Sequence, residues 1–396
     1  MDKRKLQKKK EVIPYGKQDI DQADIDSVLN VLKSNFLTQG PQVPAFEKDV
    51  IDYCGVKYGV AVNSATSALH IACLALGLTK GDWLWTSPNS FVASANCGLY
   101  CGAKIDFVDI NPKTYNLSVD ELEKKLLKAK QEDKLPKIVV PVHFAGQSCD
   151  MKRIFSLSQK YGFKIIEDAS HAIGGKYFEN SIGGCQYSDI TVFSFHPVKI
   201  VTTAEGGLAT TNDEKLLERM QLFRSHGITR NQDLMNKVED ADWYYQQVHL
   251  GFNYRMTELQ GALGITQMKR LDKFVSKRYI LQERYNSLLN SLPLLKPYQN
   301  ESSFSSFHLY PIQIDLDKIK NSRKEVFDQL RKNNIGVNVH YIPIHTQPYY
   351  QRLGFQEGDF PNSESYYRRA LSLPLFHTMT FKQQDKVVSN LEKVLV

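Results

Sequence analysis

The stretch Phe163-Lys164-Ile165-Ile166-Glu167-Asp168-Ala169-Ser170-His171 begins apolar and ends on two carboxylates and a histidine. Phe163–Glu167 reads as a buried strand, and Asp168 stands at its carboxyl end. Similar short apolar runs lie on either side of it, at Tyr58–Val62, Trp83–Thr86, Lys104–Val108, Ile138–Val142, Ile190–Phe195 and Gly207–Thr211. Between most of them lie stretches of helical periodicity, including Ala65–Leu76, Val119–Ala129 and Met151–Tyr161. Strands alternating with helices specify an α/β fold whose mostly parallel sheet is covered on both faces. Such sheets bind ligands beyond the carboxyl ends of their strands. Asp168 and Asn63-Ser64-Ala65-Thr66 both fall at such ends.

A helical pattern from about Met256 to Leu292 leads out of this region. A chain of 396 residues suits two domains, and the sequence divides into 1–272 and a smaller α+β domain, 273–396. Strands are expected in the latter near His308–Ile314 and Gly336–His340, with helices near Ser322–Lys332, Ser363–Leu371 and Phe381–Leu395. The polar stretch 228–248, holding Trp243-Tyr244-Tyr245, reads as a surface excursion.

Hydrophobic residues make up 42% and charged residues 23%, as in an ordinary globular protein. The net charge of +7 owes much to a basic run within the first ten residues, which reads as a solvated tail rather than a nucleic-acid or membrane contact. No run approaches the roughly 18 apolar residues of a membrane span, and no secretory signal pattern opens the chain. Six cysteines match no metal-ligand spacing and read as reduced thiols of a cytoplasmic protein.

Downstream of Asp168 comes Phe193-Ser194-Phe195-His196-Pro197-Val198-Lys199, then Glu205-Gly206-Gly207. A strand-end carboxylate and a lysine on a hydroxyl-bearing loop are what pyridoxal 5′-phosphate requires. The amine bonds to the aldehyde, and the carboxylate keeps the pyridine nitrogen protonated, so that the ring draws electrons. Asn63-Ser64-Ala65-Thr66-Ser67-Ala68 opens a helix after a strand and offers either an anion site or ordinary N-capping. Ser194, five residues before Lys199, favours the anion site. His171 is placed to meet the phenolic oxygen or to serve as a structural hydrogen-bonder. Phe91, opening a helix after Pro88-Asn89-Ser90, either covers a planar ring or packs the core. Asn253 and Arg255 read by themselves as polar residues at a helix start.

Four segments in this order resemble the DegT/DnrJ/EryC1/StrS family of sugar-nucleotide aminotransferases: Asn63–Leu69, Glu167–Ala172, Ser194–Lys199 and Asn253–Gln260. The resemblance runs from about Tyr15 to the C-terminus and implies a fold type I pyridoxal-phosphate enzyme. It implies Lys199 as the catalytic cofactor-bound lysine, Asp168 at the ring nitrogen and His171 at the phenolic oxygen. Ala65, Thr66 and Ser194 are implied at the phosphate, with Phe91 on the ring. Asn253 is implied to reach the phosphate of a second subunit, making the protein a homodimer with shared sites. Phe36-Leu37-Thr38-Gln39-Gly40, Arg224-Ser225-His226-Gly227 and His340-Tyr341-Ile342-Pro343-Ile344 resemble the branch that aminates UDP-linked 4-keto-hexoses in pseudaminic acid biosynthesis. That branch implies L-glutamate and a UDP-4-keto-6-deoxy-N-acetylhexosamine as substrates. Tyr15, Phe36, Leu37, Thr38, Arg255, His340, Tyr341, Ile342 and Pro343 would contact them, along with Ala65 and Ser194.

Three rival functions diverge from this one. A sugar 3-dehydratase of the same fold carries histidine at the position of Lys199. A pyridoxal-phosphate-binding regulator needs no intact Asp168–Lys199 pair. A sibling aminotransferase for 4-amino-arabinose or another amino sugar shares all the cofactor residues and differs only in pocket shape.

Overall fold

The computed structural model describes residues 12–237 and 241–396. The basic run ahead of Glu11 lies outside the described residues, as do positions 238–240 of the polar excursion. Seven strands form the main sheet: β1 (Tyr58–Val62), β2 (Trp83–Thr86), β3 (Lys104–Phe107), β4 (Ile138–Val140), β5 (Lys164–Asp168), β6 (Ile190–Ser194) and β7 (Gly207–Thr211). Their spatial order is β1-β7-β6-β5-β4-β2-β3. All neighbours run parallel except β7, which is antiparallel to both β1 and β6.

Period-two alternation sends successive side chains to opposite faces. Val60, Val62, Leu84, Ile138, Val140, Ile166 and Val192 pack on one side against helices Ala65–Ala75, Ala93–Tyr100 and Glu214–Arg224. Ala61, Phe193 and Leu208 face the other way onto Phe46, Met268 and Phe274, while Trp85, Val139 and Ile165 meet Leu122, Leu126 and Ile154. Both faces are therefore covered, which is why the strands read as continuous apolar runs.

Beyond the sheet the chain departs from the periodicity. The pattern Met256–Leu292 is two helices, Glu258–Met268 and Leu271–Leu288. Arg270 at the break is non-helical, and its guanidinium is held by Asp19 at 2.9 Å, Asp21 at 3.0 Å and Asp24. A second core gathers Leu281, Tyr285, Tyr310, Ile312, Val326, Leu371 and Leu391, with Ile13 from the N-terminal segment. Its antiparallel sheet pairs Tyr310–Ile314 with Leu294–Leu295 and Ala370–Leu373. Helix Pro361–Arg369 ends where that last strand begins, so the helix expected to Leu371 stops short. Gly336–His340 forms no strand and joins the sheet only through the bridge of Asn338 to Ser372.

Residues 228–250 carry a two-residue hairpin, Ile228–Thr229 against Gln246–Gln247, and leave Trp243 and Leu250 about four-fifths exposed. All six cysteines are free. No helix among the described residues is long and apolar enough to cross a membrane.

Candidate active site

The carboxyl ends of β1, β5 and β6 open onto a cavity of about 540 Å³ that His308 and residues 338–341 also line. Asp168 is the last residue of β5, placed by the bridge of Val142 to Asp168 and by its own N–H on the Pro141 carbonyl. Its carboxylate is nearly buried and well supplied with donors. Ser94 Oγ donates to Oδ2 at 2.6 Å, while the Ser170 amide and hydroxyl donate to Oδ1 at 3.1 and 2.6 Å. Hydrogen bonds to a carboxylate are short and strong, and these fix its orientation.

Lys199 follows β6 after a turn closed by its own N–H on the His196 carbonyl. Its amine makes no hydrogen bond among the described residues. Burial pushes its pKa down from 10.5 to about 8, with the Asp168 carboxylate opposing that fall. An amine lowered by desolvation yields the free base near neutral pH, the form a proton-transferring nucleophile requires.

At the β1 end, Ser64 caps helix Ala65–Ala75 by accepting the Ser67 N–H at 3.1 Å. The Ala65 and Thr66 amides are left without intrahelical partners at a positive helix end. The Thr66 and Ser194 hydroxyls, both lining the cavity, make no hydrogen bond among the described residues. Gly207 makes this close approach possible, since a Cβ there would lie 2.5 Å from the Ala65 nitrogen.

His171 is pinned at both nitrogens. Nδ1 accepts the Ala145 N–H at 3.2 Å, so its ring hydrogen sits on Nε2 and is donated to the Tyr341 hydroxyl at 3.0 Å. Burial, then Lys199 and His340, push its pKa well below 6.5. Tyr341 in turn gives its N–H to Asn89 Oδ1 at 3.3 Å, which ties the segment 338–341 to the loop after β2. His340 is held by Ser372 Oγ at 2.8 Å and stacks near Tyr15 at 5.4 Å; burial lowers its pKa to about 3.

The structure thus gathers Tyr15, Ala65, Thr66, Phe91, Asp168, His171, Ser194, Lys199, His340 and Tyr341 around one cavity. Phe91 is 59% exposed and precedes helix Ala93–Tyr100 by two residues rather than opening it, so it faces open space and not the core. Phe36, Leu37, Thr38, Ile342 and Pro343 do not line the cavity within this chain. Phe36 and Leu37 are more than half exposed, Thr38 bridges Thr257, and Ile342 is 48% exposed. Asn253 is exposed and paired with Ser225, and Arg255 bridges Val62, so neither enters the cavity of its own chain. Sequence reasoning missed Ser94, Ser170, Asn89 and His308. The one local signal was Ser90 and Ser94 spaced i, i+4, their hydroxyls 2.7 Å apart.

These residues fit pyridoxal phosphate. Unpartnered amides and hydroxyls suit a phosphate, Asp168 suits a ring nitrogen, and Lys199 is a free amine. The comparisons agree. The profile of the DegT/DnrJ/EryC1/StrS aminotransferase family matches residues 18–392. A UDP-4-amino-4,6-dideoxy-N-acetyl-beta-L-altrosamine transaminase of Campylobacter jejuni is 38% identical, covering 97% of this chain and 98% of its own. The spore coat polysaccharide biosynthesis protein SpsC of Bacillus subtilis is 37% identical, covering 98% and 99%. The structure of Helicobacter pylori PseC, an aminotransferase involved in the biosynthesis of pseudaminic acid, superposes with a TM-score of 0.88 at 31% identity, covering 97% and 99%. With a lysine, a carboxylate and an anion-ready helix end in one cavity, and near-complete matches in sequence and fold, this chain belongs to the DegT/DnrJ/EryC1/StrS family and is a pyridoxal-phosphate-dependent sugar aminotransferase.

Proposed function

We propose that the enzyme moves the amino group of L-glutamate to carbon 4 of a UDP-4-keto-6-deoxy-N-acetylhexosamine, in pseudaminic acid biosynthesis. The observation that carries the reading is the Lys199 amine, desolvated and without a hydrogen bond, sharing a cavity with the donor-rich Asp168 carboxylate. The choice of sugar is supported by the names of the Campylobacter and Helicobacter relatives.

Pyridoxal phosphate, when bound, supplies an aldehyde carbon that bonds amines and a ring that accepts the electrons released by proton loss. The chain does the rest. Asp168 holds a proton at the ring nitrogen. Ala65, Thr66 and Ser194 bind the phosphate, and Phe91 covers the ring. Lys199 Nζ would take the α-proton of glutamate and return it to the carbon that carried the aldehyde, and with the sugar bound it would move a proton the other way, to carbon 4. His171 and Tyr341 hold the second domain against the cavity mouth and shut out water.

In the same reading the protein is a cytoplasmic homodimer, dividing near Lys273 into its two domains. Asn253 reaches the partner's phosphate site, which accounts for a polar residue standing exposed outside its own cavity. Phe36, Leu37, Thr38, Arg255, Ile342 and Pro343 flank the UDP-sugar. A second reading, amination of a different 4-keto sugar nucleotide, draws on the near-equal likeness to the spore coat protein. Incubation with L-glutamate and a panel of UDP-4-keto sugars, with products identified by mass spectrometry and NMR, tests both. Preferential amination of the 6-deoxy-N-acetylhexosamine at carbon 4 is expected. Preference for another sugar overturns the first reading in favour of the second.

A further inference from the structure

Three histidines meet beside Lys199, and one of them has no hydrogen-bonding partner. His308 lies two residues before the strand Tyr310–Ile314, lines the cavity and is 4% exposed. Its ring packs on His171 with centroids 4.5 Å apart. His171 uses both nitrogens and His340 is bound to Ser372. Neither nitrogen of His308 has a hydrogen bond among the described residues, and Nδ1 is wholly enclosed. Nε2 is not enclosed and is therefore the nitrogen left to meet a ligand group, which can recover part of what an unsatisfied buried ring costs.

The surroundings say which ligand group. Burial, then His171, Lys199, Arg278 and His340, push the pKa of His308 well below 6.5. Arg278 is fully buried and gives its guanidinium hydrogens to the carbonyls of Phe307, His308 and Leu375, with no carboxylate partner among the described residues. Acidic side chains lining the cavity are Asp168, already engaged by Ser94 and Ser170, and the largely exposed Glu205. This corner is deficient in negative charge.

We propose that His308 receives the α-carboxylate of the amino donor, within the three-histidine corner beside Lys199. The inference rests on the aminotransferase reading with glutamate as donor. A donor amino acid carries its carboxylate on the reacting carbon, whereas a keto sugar presents a neutral ring carbon and hydroxyl at that place. One corner must therefore serve an anion in the first half-reaction and a neutral group in the second. A guanidinium keeps its charge in both, but an imidazole gains a proton beside a carboxylate and gives it up beside a hydroxyl. A histidine corner thus accommodates both substrates without a fixed charge.

The test uses the holoenzyme with L-glutamate and no sugar, following loss of the yellow absorbance against glutamate concentration. γ-Aminobutyrate, which lacks the α-carboxylate, is run in parallel. His308→Asn should weaken apparent glutamate binding about 10- to 100-fold, the size expected of a hydrogen bond to a charged group. It should leave γ-aminobutyrate binding and pyridoxal phosphate affinity, the latter measured by titrating the apoprotein, unchanged. His308→Gln carries the same test should His308→Asn not fold. If glutamate and γ-aminobutyrate suffer equally, or glutamate not at all, the carboxylate assignment is overturned. A wild-type enzyme indifferent to glutamate but reactive with other amines overturns the donor reading, and the inference with it.

Discussion

Replacing Lys199 by methionine should make the cofactor-free protein more stable while abolishing its chemistry. Lys199 is partly buried in the cavity wall, and burial takes its pKa from 10.5 to about 8. The fall is about 2.5 units, and each unit is worth about 1.36 kcal/mol, so protonated Lys199 costs the folded apoprotein on the order of 3 kcal/mol at pH 7. The sign follows from proton binding. Between pH 8 and 10.5 the unfolded chain keeps a proton that the folded chain has released, so wild-type stability rises through that window. Methionine has similar length and no charge, and its variant has no such dependence. Urea unfolding of both apoproteins, stripped with hydroxylamine, should show Lys199→Met ahead by about 3 kcal/mol at pH 7. That lead should shrink towards zero by about pH 10.5. Parallel curves across pH, or a less stable variant at pH 7, would refute the claim that desolvation depresses this amine.

Other expectations follow from the same geometry. Asp168→Asn keeps the shape but cannot hold a proton on the ring nitrogen; kcat should fall about 100- to 10,000-fold with unfolding nearly unchanged, and near-normal turnover would remove Asp168 from that role. Gly207→Ala would drive a methyl group to 2.5 Å from the Ala65 nitrogen, so fluorescence titration of the apoprotein should show sharply weaker pyridoxal phosphate binding, with roughly 1–3 kcal/mol lost in stability. Mixing inactive Lys199→Ala and Asn253→Ala subunits should restore activity in hybrids, because both defects gather in one site. No recovery despite demonstrated subunit exchange would mean that Asn253 serves its own chain.

The main sheet was legible because its strands are covered on both faces, so each shows as an apolar run with turn residues behind it. Lys199, Asp168, Ser194 and the start of helix Ala65–Ala75 were legible because each stands at the end of such a run. Elsewhere, distant partners decide the local structure. The break at Arg270 depends on Asp19, Asp21 and Asp24, some 250 residues away, and no local periodicity carries that information. Ala370 and Leu371 read as the tail of a helix, yet the pairing of Ala370–Leu373 with Tyr310–Ile314 makes them part of a strand. Ser94 reaches Asp168 across 74 residues from a helix that otherwise reads as plain core. His308 gives no sign of its place in the cavity until its ring meets that of His171, far away in the sequence.

The early residues of the chain have a consequence for its biosynthesis. Ile13 gives its N–H to Asn334, and the Tyr15 carbonyl accepts from the Leu375 amide. Tyr15 is thereby set into the cavity wall by residues made more than 300 positions after it. Chains emerge from the N-terminus and fold domain by domain. The sheet can assemble while synthesis continues, and Gln267 and Arg270 can already hold Asp19, but the Tyr15 carbonyl must wait more than 350 further residues for the Leu375 amide. A growing chain can therefore pass through a stage in which Lys199 and Asp168 stand beneath an unfinished wall, open to the cofactor before that wall closes.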